Sequence, residues 1–354
     1  MKFNDNIILD DCLKISSEFI KYKSKLKNKT IVITGGAGFL LSYFCDLIYT
    51  FNFKYQLNIK LIIYDKFVLG FPERLKKFKN YKNIKFVNQD LSKKFKIDTD
   101  CHYFIHGASI ASPSFYRKFP IDTIKVNVTA LLNILDQFTI RKKKIKSLIF
   151  MSSSEVYGDP YKKFIPTKET YNGNVSFTGP RACYDESKRI GETICVNYWS
   201  EKKLPIKIIR PFNVFGPGQN LKDKRIIPDI LNSLTKKKDI YLYSDGTPKR
   251  SLCYISDQVR GILLVMLKGV NGESYNVGNN QMQSINSIVK LFLNISKLKV
   301  KVMFKRSKDV NYTKDNPQSR CPDIFKIGKT LNWKPKTSVK EGIRKTLKYY
   351  KILN

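Results

Sequence analysis

A tyrosine and a lysine in the segment 179–189 have the spacing of a proton-transfer pair. Tyr184 and Lys188 are four residues apart, so on a helix they lie one turn apart on the same face. Free tyrosine is a poor base at neutral pH because its reference pKa is about 10, but a nearby ammonium group favours the phenolate. The pair can take a proton from an alcohol, although the same spacing also occurs on helices that have no catalytic role.

A glycine-containing turn near the start of the chain is suited to binding phosphate. The β-branched run 29–34 predicts a buried strand, which leads directly into Gly35 and Gly38 and then into an apolar helical segment that ends near residue 53. Backbone N–H groups at a helix N-terminus approach a pyrophosphate closely only where side chains are absent. Leu41 occupies the third position, where glycine usually permits close packing of helix on strand.

Further predicted strands alternate with helices up to residue 210. Strands are predicted at 60–64, 84–90, 103–109, 146–152 and 206–210, with the main helices at about 121–140 and 184–201. The alternation predicts an α/β fold: a Rossmann-type doubly wound parallel sheet with a smaller C-terminal substrate-binding lobe. Asp65 follows the second strand, where a carboxylate can bind both hydroxyls of an adenosine ribose and repel a 2′-phosphate. The sequence therefore favours NAD over NADP.

The pattern divides the chain into three parts. Residues 1–28 read as a helical N-terminal extension, and residues 29–215 as the NAD-binding Rossmann domain. After residue 215 the pattern loosens into loops that contain glycine and proline, so residues 216–354 are assigned to a nucleotide-sugar-binding lobe. Within that part, residues 254–277 are predicted to cross back to the first domain.

The composition restricts the classes of function. The formal net charge is +36, but the lysines are scattered along the whole sequence, which favours a lysine-rich composition over a nucleic-acid-binding surface. A positive field still favours an anionic substrate such as a nucleotide sugar. Seven cysteines without a Cys-x-x-Cys pair are not the pattern of a disulfide framework. Two histidines are too few for a histidine-rich zinc site, so no metal is expected. With no signal peptide pattern and no long apolar run, we expect a cytoplasmic protein that does not interact with a membrane.

Several motifs in order resemble the extended short-chain dehydrogenase/reductase superfamily. They include Ser-Ser-Glu-Val-Tyr-Gly-Asp at 153–159, Gly-Pro-Arg-Ala-Cys-Tyr-Asp-Glu-Ser-Lys-Arg at 179–189 and Arg-Pro-Phe-Asn-Val-Phe-Gly-Pro at 210–217, together with 108–113, 120–127, 249–257 and 316–323. From about residue 30 to residue 346, the sequence resembles the nucleotide-sugar epimerase/dehydratase branch, and within it most closely the UDP-glucuronate decarboxylases. Related epimerases and dehydratases share part of the 179–188 segment.

The resemblance implies roles for individual residues. A hydroxyl of Ser153 or Ser154 would orient the sugar alcohol, Tyr184 would take its proton, and Lys188 would lower the tyrosine pKa and hold the nicotinamide ribose. The implied NAD-binding residues are Gly35, Gly38, Phe39, Leu40, Asp65, Asp90, Leu91, Ala108, Ser109, Asn127, Tyr184 and Lys188. The implied substrate-binding residues are Arg181, Asn213, Arg225, Arg250 and Tyr254.

Glu155 bears most directly on which reaction is catalysed. In the resembling families, a carboxylate at this position implies proton transfer at carbon 5 of the sugar, whereas 4-epimerases usually have a small or apolar residue there. The Ser154-Glu155 pair is similar to that of the decarboxylases, although dehydratases acting on GDP-mannose also carry a hydroxyl followed by glutamate. The resemblance implies that Arg320 acts with Glu155 around carbon 5. A ketone formed at carbon 4 is β to the carboxylate, so carbon dioxide can leave.

Other readings stay open at this point. A 4,6-dehydratase, 4-epimerase or 4-dehydrogenase acting on another nucleotide sugar is the main alternative to the decarboxylase. A dinucleotide-binding module without catalysis, or a basic nucleic-acid-binding protein, belongs to a different class, and the presence of Tyr184, Lys188 and Glu155 argues against the first of these. The resemblance also implies a homodimer formed through helices near 121–140 and 184–201.

Overall fold

A computed structural model of the chain describes residues 4–68, 70–140, 145–305 and 315–353. The strands are β1 (Thr30–Thr34), β2 (Lys60–Asp65), β3 (Ile84–Asn88), β4 (Tyr103–His106), β5 (Ser147–Met151), β6 (Ile206–Pro211), β7 (Val214–Phe215), β8 (Ile240–Leu242), β9 (Lys249–Ser251), β10 (Cys253–Tyr254), β11 (Ser274–Val277), β12 (Met282–Ser284), β13 (Val302–Phe304) and β14 (Ser319–Arg320).

The α-helices are α1 (Asn6–Phe19), α2 (Lys23–Leu26), α3 (Tyr43–Tyr55), α4 (Pro113–Lys118), α5 (Pro120–Ile124), α6 (Ala130–Ile140), α7 (Ala182–Lys202), α8 (Ile226–Thr235), α9 (Ile255–Lys268), α10 (Ile285–Ser296), α11 (Phe325–Leu331) and α12 (Val339–Tyr349). Short 3₁₀ turns occupy Ile20–Tyr22, Glu73–Phe78, Ser154–Tyr157 and Lys162–Phe164, and a π-helical turn, Lys125–Thr129, separates α5 from α6.

Seven parallel strands form the central sheet, in the order β11-β6-β5-β4-β1-β2-β3. The chain moves outward from β1 to β3, then returns to β4 on the other side of β1 and continues outward to β6. The carboxyl ends of β1 and β4 therefore flank the switch point, where doubly wound folds bind ligands. This topology confirms the predicted Rossmann-type fold.

Both faces of the sheet are covered by packed side chains, because the strands are almost continuously apolar. Ile31 and Ile33 of β1 belong to a large core that includes residues of α3 and α9, whereas Val32 belongs to a second core with residues of α6 and α7. Alternate residues of a strand point to opposite faces. The sequence pattern of β1 therefore specifies burial on both sides.

The chain after β6 builds small sheets beside the central one. One pairs β9 with β12 and β14, and another pairs β8 with β13. The segment α9 returns to pack against β5 and β6, and β11 then joins β6 at the edge of the central sheet. Residues 255–277 thus supply a helix and a strand to the central sheet, although strands of the small sheets precede them in sequence.

The N-terminal helix α1 packs on α3, α9 and α12. Asp11 is buried in this contact and accepts hydrogen bonds from the Tyr254 hydroxyl (2.7 Å) and from Lys345 Nζ (2.8 Å). Glu18 forms ion pairs with Arg260 and Lys336. The extension is therefore fixed to segments from the second half of the chain. In the described ranges, no helix has both the length and the apolar character that crossing a membrane requires.

Candidate active site

The glycine turn lies at the switch point, between the carboxyl ends of β1 and β4. Gly35 has φ +69°, and a Cβ atom at this position would lie 2.6 Å from the backbone of Ala108. Both the left-handed conformation and the close approach require glycine. At Gly38, a Cβ atom would meet only the Gly35 carbonyl oxygen, at 3.3 Å. The turn therefore presents bare backbone at its outer side, as phosphate binding requires.

Leu41 is accommodated by a second glycine at the end of the neighbouring strand. The leucine side chain is buried, and a Cβ atom added to Gly107 would lie 2.2 Å from its Cδ1 atom. The close packing that a glycine at position 41 would allow is thus provided from the opposite side, by Gly107. In place of a glycine at position 41, Gly107 leaves the room that the helix and the strand need to pack closely. The backbone of the glycine turn is unaffected by this exchange.

This complementarity predicts a destabilising effect of Gly107→Ala. The new methyl group overlaps Leu41 in a packed core, which costs about 1–3 kcal/mol, so the thermal unfolding midpoint should fall. Leu41→Ala in the same chain removes the overlap, so the double variant should be more stable than the sum of the single effects allows. Gly328→Ala is the matched control, since the nearest atom to its added Cβ is at 3.5 Å. Additive effects of the two substitutions would contradict the account.

Two aspartates end the strands beside this turn. Asp65 accepts hydrogen bonds from the backbone N–H groups of Ala37 (3.0 Å) and Phe67 (2.9 Å), which hold its carboxylate beside the glycine turn. Asp90 forms an ion pair with Lys66 at 2.7 Å and accepts two hydrogen bonds from Ser92. Although partial burial opposes ionisation, these contacts lower the pKa of Asp90 to about 2. Burial raises the pKa of Asp65 against the backbone hydrogen bonds that it accepts. Both carboxyl groups lie at the strand ends where a ribose would bind.

The remaining predicted cofactor residues lie around the same strand ends. Phe39 and Leu40 are half-buried between the turn and α3, and Leu91 is buried in the second core. Ser109 follows β4, and its buried hydroxyl has no hydrogen-bond partner within the described residues. An unsatisfied buried hydroxyl is costly unless a ligand bonds it, so its position fits a bound cofactor.

Tyr184 and Lys188 lie in the first two turns of α7, buried against β5. Lys188 Nζ donates to the Met151 carbonyl oxygen at 2.8 Å and lies 5.8 Å from the centre of the Tyr184 ring. Burial lowers the pKa of Lys188 to about 7 and raises that of Tyr184 to about 12, although a hydrogen bond with Ser153 opposes the second shift. The net shift of the Tyr184 pKa is upward because burial outweighs the opposing contacts, and the contribution of Lys188 to that pKa stays a prediction.

The π-helical turn before α6 brings Asn127 to the same helix. Its side chain is fully buried and donates to Ser187 Oγ at 2.8 Å, and Ser187 in turn donates to the Tyr184 carbonyl oxygen. The Asn127 Oδ1 atom has no partner among the described residues. Asn127 thus anchors the segment that carries the tyrosine and the lysine.

Glu155 lies at the start of the 3₁₀ turn after β5 and is held by two arginines. Arg320 donates from Nη1 to Oε1 (2.5 Å) and from Nη2 to Oε2 (2.6 Å), and Arg181 Nη2 bonds the same Oε2. Although burial opposes ionisation, Arg181 and Arg320 keep the pKa of Glu155 below its usual range. The Ser153 hydroxyl accepts from the Glu155 N–H, so the carboxylate and the tyrosine share a neighbour. Ser154 is buried in the same turn.

Two arginines lie side by side on neighbouring strands, and only one of them has a carboxylate partner in the described structure. Arg250 of β9 is in register with Arg320 of β14. Like charges placed directly opposite each other are unfavourable. Arg250 is buried and donates only to backbone oxygens and to Asn316, and burial together with Arg320 lowers its pKa to about 9. A buried cation in this setting is suited to a bound anion.

The other three predicted substrate residues, Arg225, Asn213 and Tyr254, differ in exposure and in their hydrogen-bond partners. Arg225 is half-exposed, pairs with Asp223 at 2.5 Å, and is near enough to Tyr184 to influence its pKa. Asn213 has a buried side-chain oxygen without a partner among the described residues. Tyr254 does not fit a substrate contact, because its ring is buried and its hydroxyl donates to Asp11 under the N-terminal helix. The hydroxyl of Tyr254 thus serves to hold the N-terminal helix.

Sequence reasoning missed a buried ionic network behind the catalytic turn. Arg210 at the end of β6 donates to both oxygens of Glu192 (2.8 and 2.5 Å), and Ser152 donates to the same carboxylate. Arg210 also donates to the Tyr157 hydroxyl. Glu192 is one turn beyond Lys188 on α7, and that spacing on the face of Tyr184 was the available signal. The network fixes α7 against the strand ends.

Tyr116 is a second residue that the sequence did not indicate. It lies in α4 with its ring stacked on Tyr184, the ring centres being 5.1 Å apart, and the Arg181 guanidinium lies 5.8 Å from its centre. The Tyr184 ring is therefore fixed between α4 and the body of the domain, which limits its rotation.

The fold and the site together define an NAD-dependent enzyme of the extended short-chain dehydrogenase/reductase type. The chain belongs to the NAD dependent epimerase/dehydratase family, whose model matches residues 31–278. Among curated proteins it is similar to UDP-glucuronic acid decarboxylase 1 of Xenopus tropicalis, with 32% identity over 94% of this chain and 74% of the relative. UDP-glucuronic acid decarboxylase 3 of Arabidopsis thaliana is 35% identical over 89% of this chain and 87% of that protein.

Solved structures give the same assignment of fold. UDP-glucose 4-epimerase of Thermotoga maritima, solved with UDP-glucose, has a TM-score of 0.78 and 25% identity, and the match covers 91% of this chain and 98% of that one. UDP-glucuronic acid 4-epimerase of Bacillus cereus, in complex with UDP-glucuronic acid and NAD, has a TM-score of 0.76 and 23% identity over 92% of this chain and 100% of that one. The second shows the shared fold alone.

NAD is the cofactor of this enzyme. Three features of the site fit bound NAD: the glycine turn, where Gly35 leaves no room for a Cβ atom, the Asp65 carboxylate, and the buried Ser109 hydroxyl, which has no partner within the described residues. Lys188 reaches the end of β5, where it donates to the Met151 carbonyl oxygen.

Proposed function

We propose that the protein is an NAD-dependent UDP-glucuronate decarboxylase. The observation that carries the proposal is the Glu155 carboxylate, which Arg181 and Arg320 hold beside the Tyr184 and Ser153 pair. A 4-epimerase transfers hydride only at carbon 4 and does not need these groups. Chemistry at carbon 5 needs in addition a group for proton transfer, which Glu155 supplies, and a cation for the sugar carboxylate, which the arginines supply. The relatives named as UDP-glucuronic acid decarboxylases support the same substrate.

The residues supply the steps around carbon 4 and carbon 5. Tyr184, oriented by Ser153 and by its stacking on Tyr116, removes the proton of the 4-hydroxyl. Bound NAD would accept the hydride of carbon 4 and return it at the end, and its positive ring would favour the tyrosinate. Arg320 and Glu155 flank carbon 5, where the carboxylate leaves as carbon dioxide and a proton is then added. Arg250 binds the diphosphate.

The substrate assignment is tested with a panel of nucleotide sugars. The purified protein is incubated with NAD and, separately, UDP-glucuronate, dTDP-glucose, GDP-mannose and UDP-glucose, and the products are identified by mass spectrometry and NMR. We expect loss of carbon dioxide from UDP-glucuronate, giving UDP-xylose or the corresponding 4-keto pentose. Loss of water from another substrate would identify a dehydratase. No turnover of the acid would refute the proposal.

The proposal extends to the assembly and the compartment. Exposed apolar side chains on the two helical segments of the expected dimer face support a homodimer; they are Ile121, Ile124, Ile190, Val196 and Trp199. Light scattering should give twice the mass of one chain, and a monomer at all concentrations would contradict it. None of the seven cysteines, all of which lie within the described residues, forms a disulfide, which supports a reducing compartment such as the cytoplasm.

A further inference from the structure

A second carboxylate lies beside the Glu155 cluster, and the mechanism above does not use it. Asp185 follows the catalytic tyrosine in the first turn of α7 and is buried, with its Oδ2 atom 3.4 Å from Arg181 Nε. Its Oδ1 atom has no hydrogen-bond partner within the described residues. Asp185 and Arg181 also line a cleft whose other walls are the loops around 158–159, 174–176 and 315–318. The carboxyl group therefore lines an open cleft, next to the Arg181 side chain that also holds Glu155.

Arg181 connects the two carboxylates. Its Nη2 atom bonds Glu155, its Nε edge faces Asp185, and its face covers the Tyr116 ring that stacks on Tyr184. Arg320 donates two hydrogen bonds to Glu155, and its buried Nε atom has no partner within the described residues. A carboxylated sugar entering this cluster adds a third acid to a site with two arginines.

We propose that Asp185 is a specificity-determining residue that must be protonated for an acidic sugar to bind. The inference rests on the proposed function, since it assigns the sugar carboxylate to the Glu155 and Arg320 end of the cleft. An ionised Asp185 would compete with the substrate for Arg181 and repel it. A neutral Asp185 frees the guanidinium and can donate a hydrogen bond to the incoming carboxylate.

The environment of Asp185 makes this protonation accessible. Burial and the neighbouring Glu155 charge raise the pKa of Asp185 to about 7, against the opposing effect of Arg181 and Arg320. The titratable and charged groups that face it are Glu155, Arg181, Arg320, Tyr116, Tyr184 and Cys183. An approaching anion raises the pKa further, so substrate binding near neutral pH should be accompanied by proton uptake.

The test compares the pH dependence of KM in the wild type and in Asp185→Asn. For UDP-glucuronate, KM of the wild type should rise about tenfold between pH 6 and pH 8, since Asp185 loses its proton in that range. In Asp185→Asn this rise should disappear, because the amide cannot ionise. An acid in the first turn of a helix also stabilises it, but a purely structural role would lower the unfolding midpoint and leave the slope of KM against pH unchanged.

Two further measurements separate the possible failures. Calorimetry of Tyr184→Phe, which should bind the sugars without turnover, in two buffers with different ionisation enthalpies should show net proton uptake on binding UDP-glucuronate and none on binding UDP-glucose, which lacks the carboxylate. Turnover has to be blocked in this experiment because decarboxylation itself consumes a proton. This works even if Asp185→Asn does not fold. Turnover of UDP-glucuronate with a KM that does not depend on pH, or an equal rise in both proteins, would overturn the role of Asp185. No turnover of the acid by the wild type would instead refute the proposed function.

Discussion

Tyr184→Phe should lower kcat on UDP-glucuronate by about a thousandfold or more, since it removes the group that we propose takes the 4-hydroxyl proton. The substitution keeps the ring, and with it the stacking on Tyr116, so the fold and the site for NAD should persist. The rate of product formation is measured by NMR, and retention of NAD is measured by the protein fluorescence titrated with the cofactor. Loss of turnover with unchanged NAD affinity is the expected result.

Tyr161→Phe provides the matched control, because this tyrosine is exposed on a loop outside the site. Its kcat should remain that of the wild type. Activity of Tyr184→Phe within tenfold of the wild type would show that another group acts as the base. Loss of NAD binding in the same variant would instead assign Tyr184 a mainly structural role.

Glu155→Gln should separate catalysis from binding. We expect kcat to fall by about a hundredfold or more, because the amide cannot carry a proton at carbon 5. KM for UDP-glucuronate should not rise and should even fall, because Arg181 and Arg320 lose the carboxylate that they now share and become available to the substrate carboxylate. NMR should show a larger share of the 4-keto pentose among the products.

The control for charge removal is Glu273→Gln, which breaks a surface pair with Lys326 at 2.6 Å and should leave both constants unchanged. A raised KM with an unchanged kcat would contradict the assignment of Glu155 to the chemical step. It would show that the carboxylate only orders the arginines for binding.

The local patterns of the sequence were sufficient for the architecture. Strands of β-branched residues, the glycine turn and the alternation with helices predicted the parallel sheet, because each is a property of neighbouring residues. Asp65 was predicted at a strand end, and it lies there beside the turn. The pairing of Glu155 with Arg320 followed from family resemblance, since 165 positions separate the two residues and no local pattern connects them.

What the sequence did not reveal depends on contacts between distant segments. Leu41 looked like a defect because its compensation is in Gly107, which is adjacent only in the folded sheet. Tyr254 looked like a substrate contact because the motif does not show Asp11, which occupies its hydroxyl. The net rise of the Tyr184 pKa was not foreseen, because burial cannot be read from helical spacing.

The bonds of the N-terminal helix have a consequence for biosynthesis. Asp11 finds its two side-chain partners in Tyr254 and Lys345, and Glu18 finds Arg260 and Lys336. The ribosome translates α1 before all four of these partners, so the two acids cannot pair until most of the chain has emerged. The glycine turn and strands β1 to β6 can assemble earlier on the nascent polypeptide, whereas α1 docks late although it is translated before them.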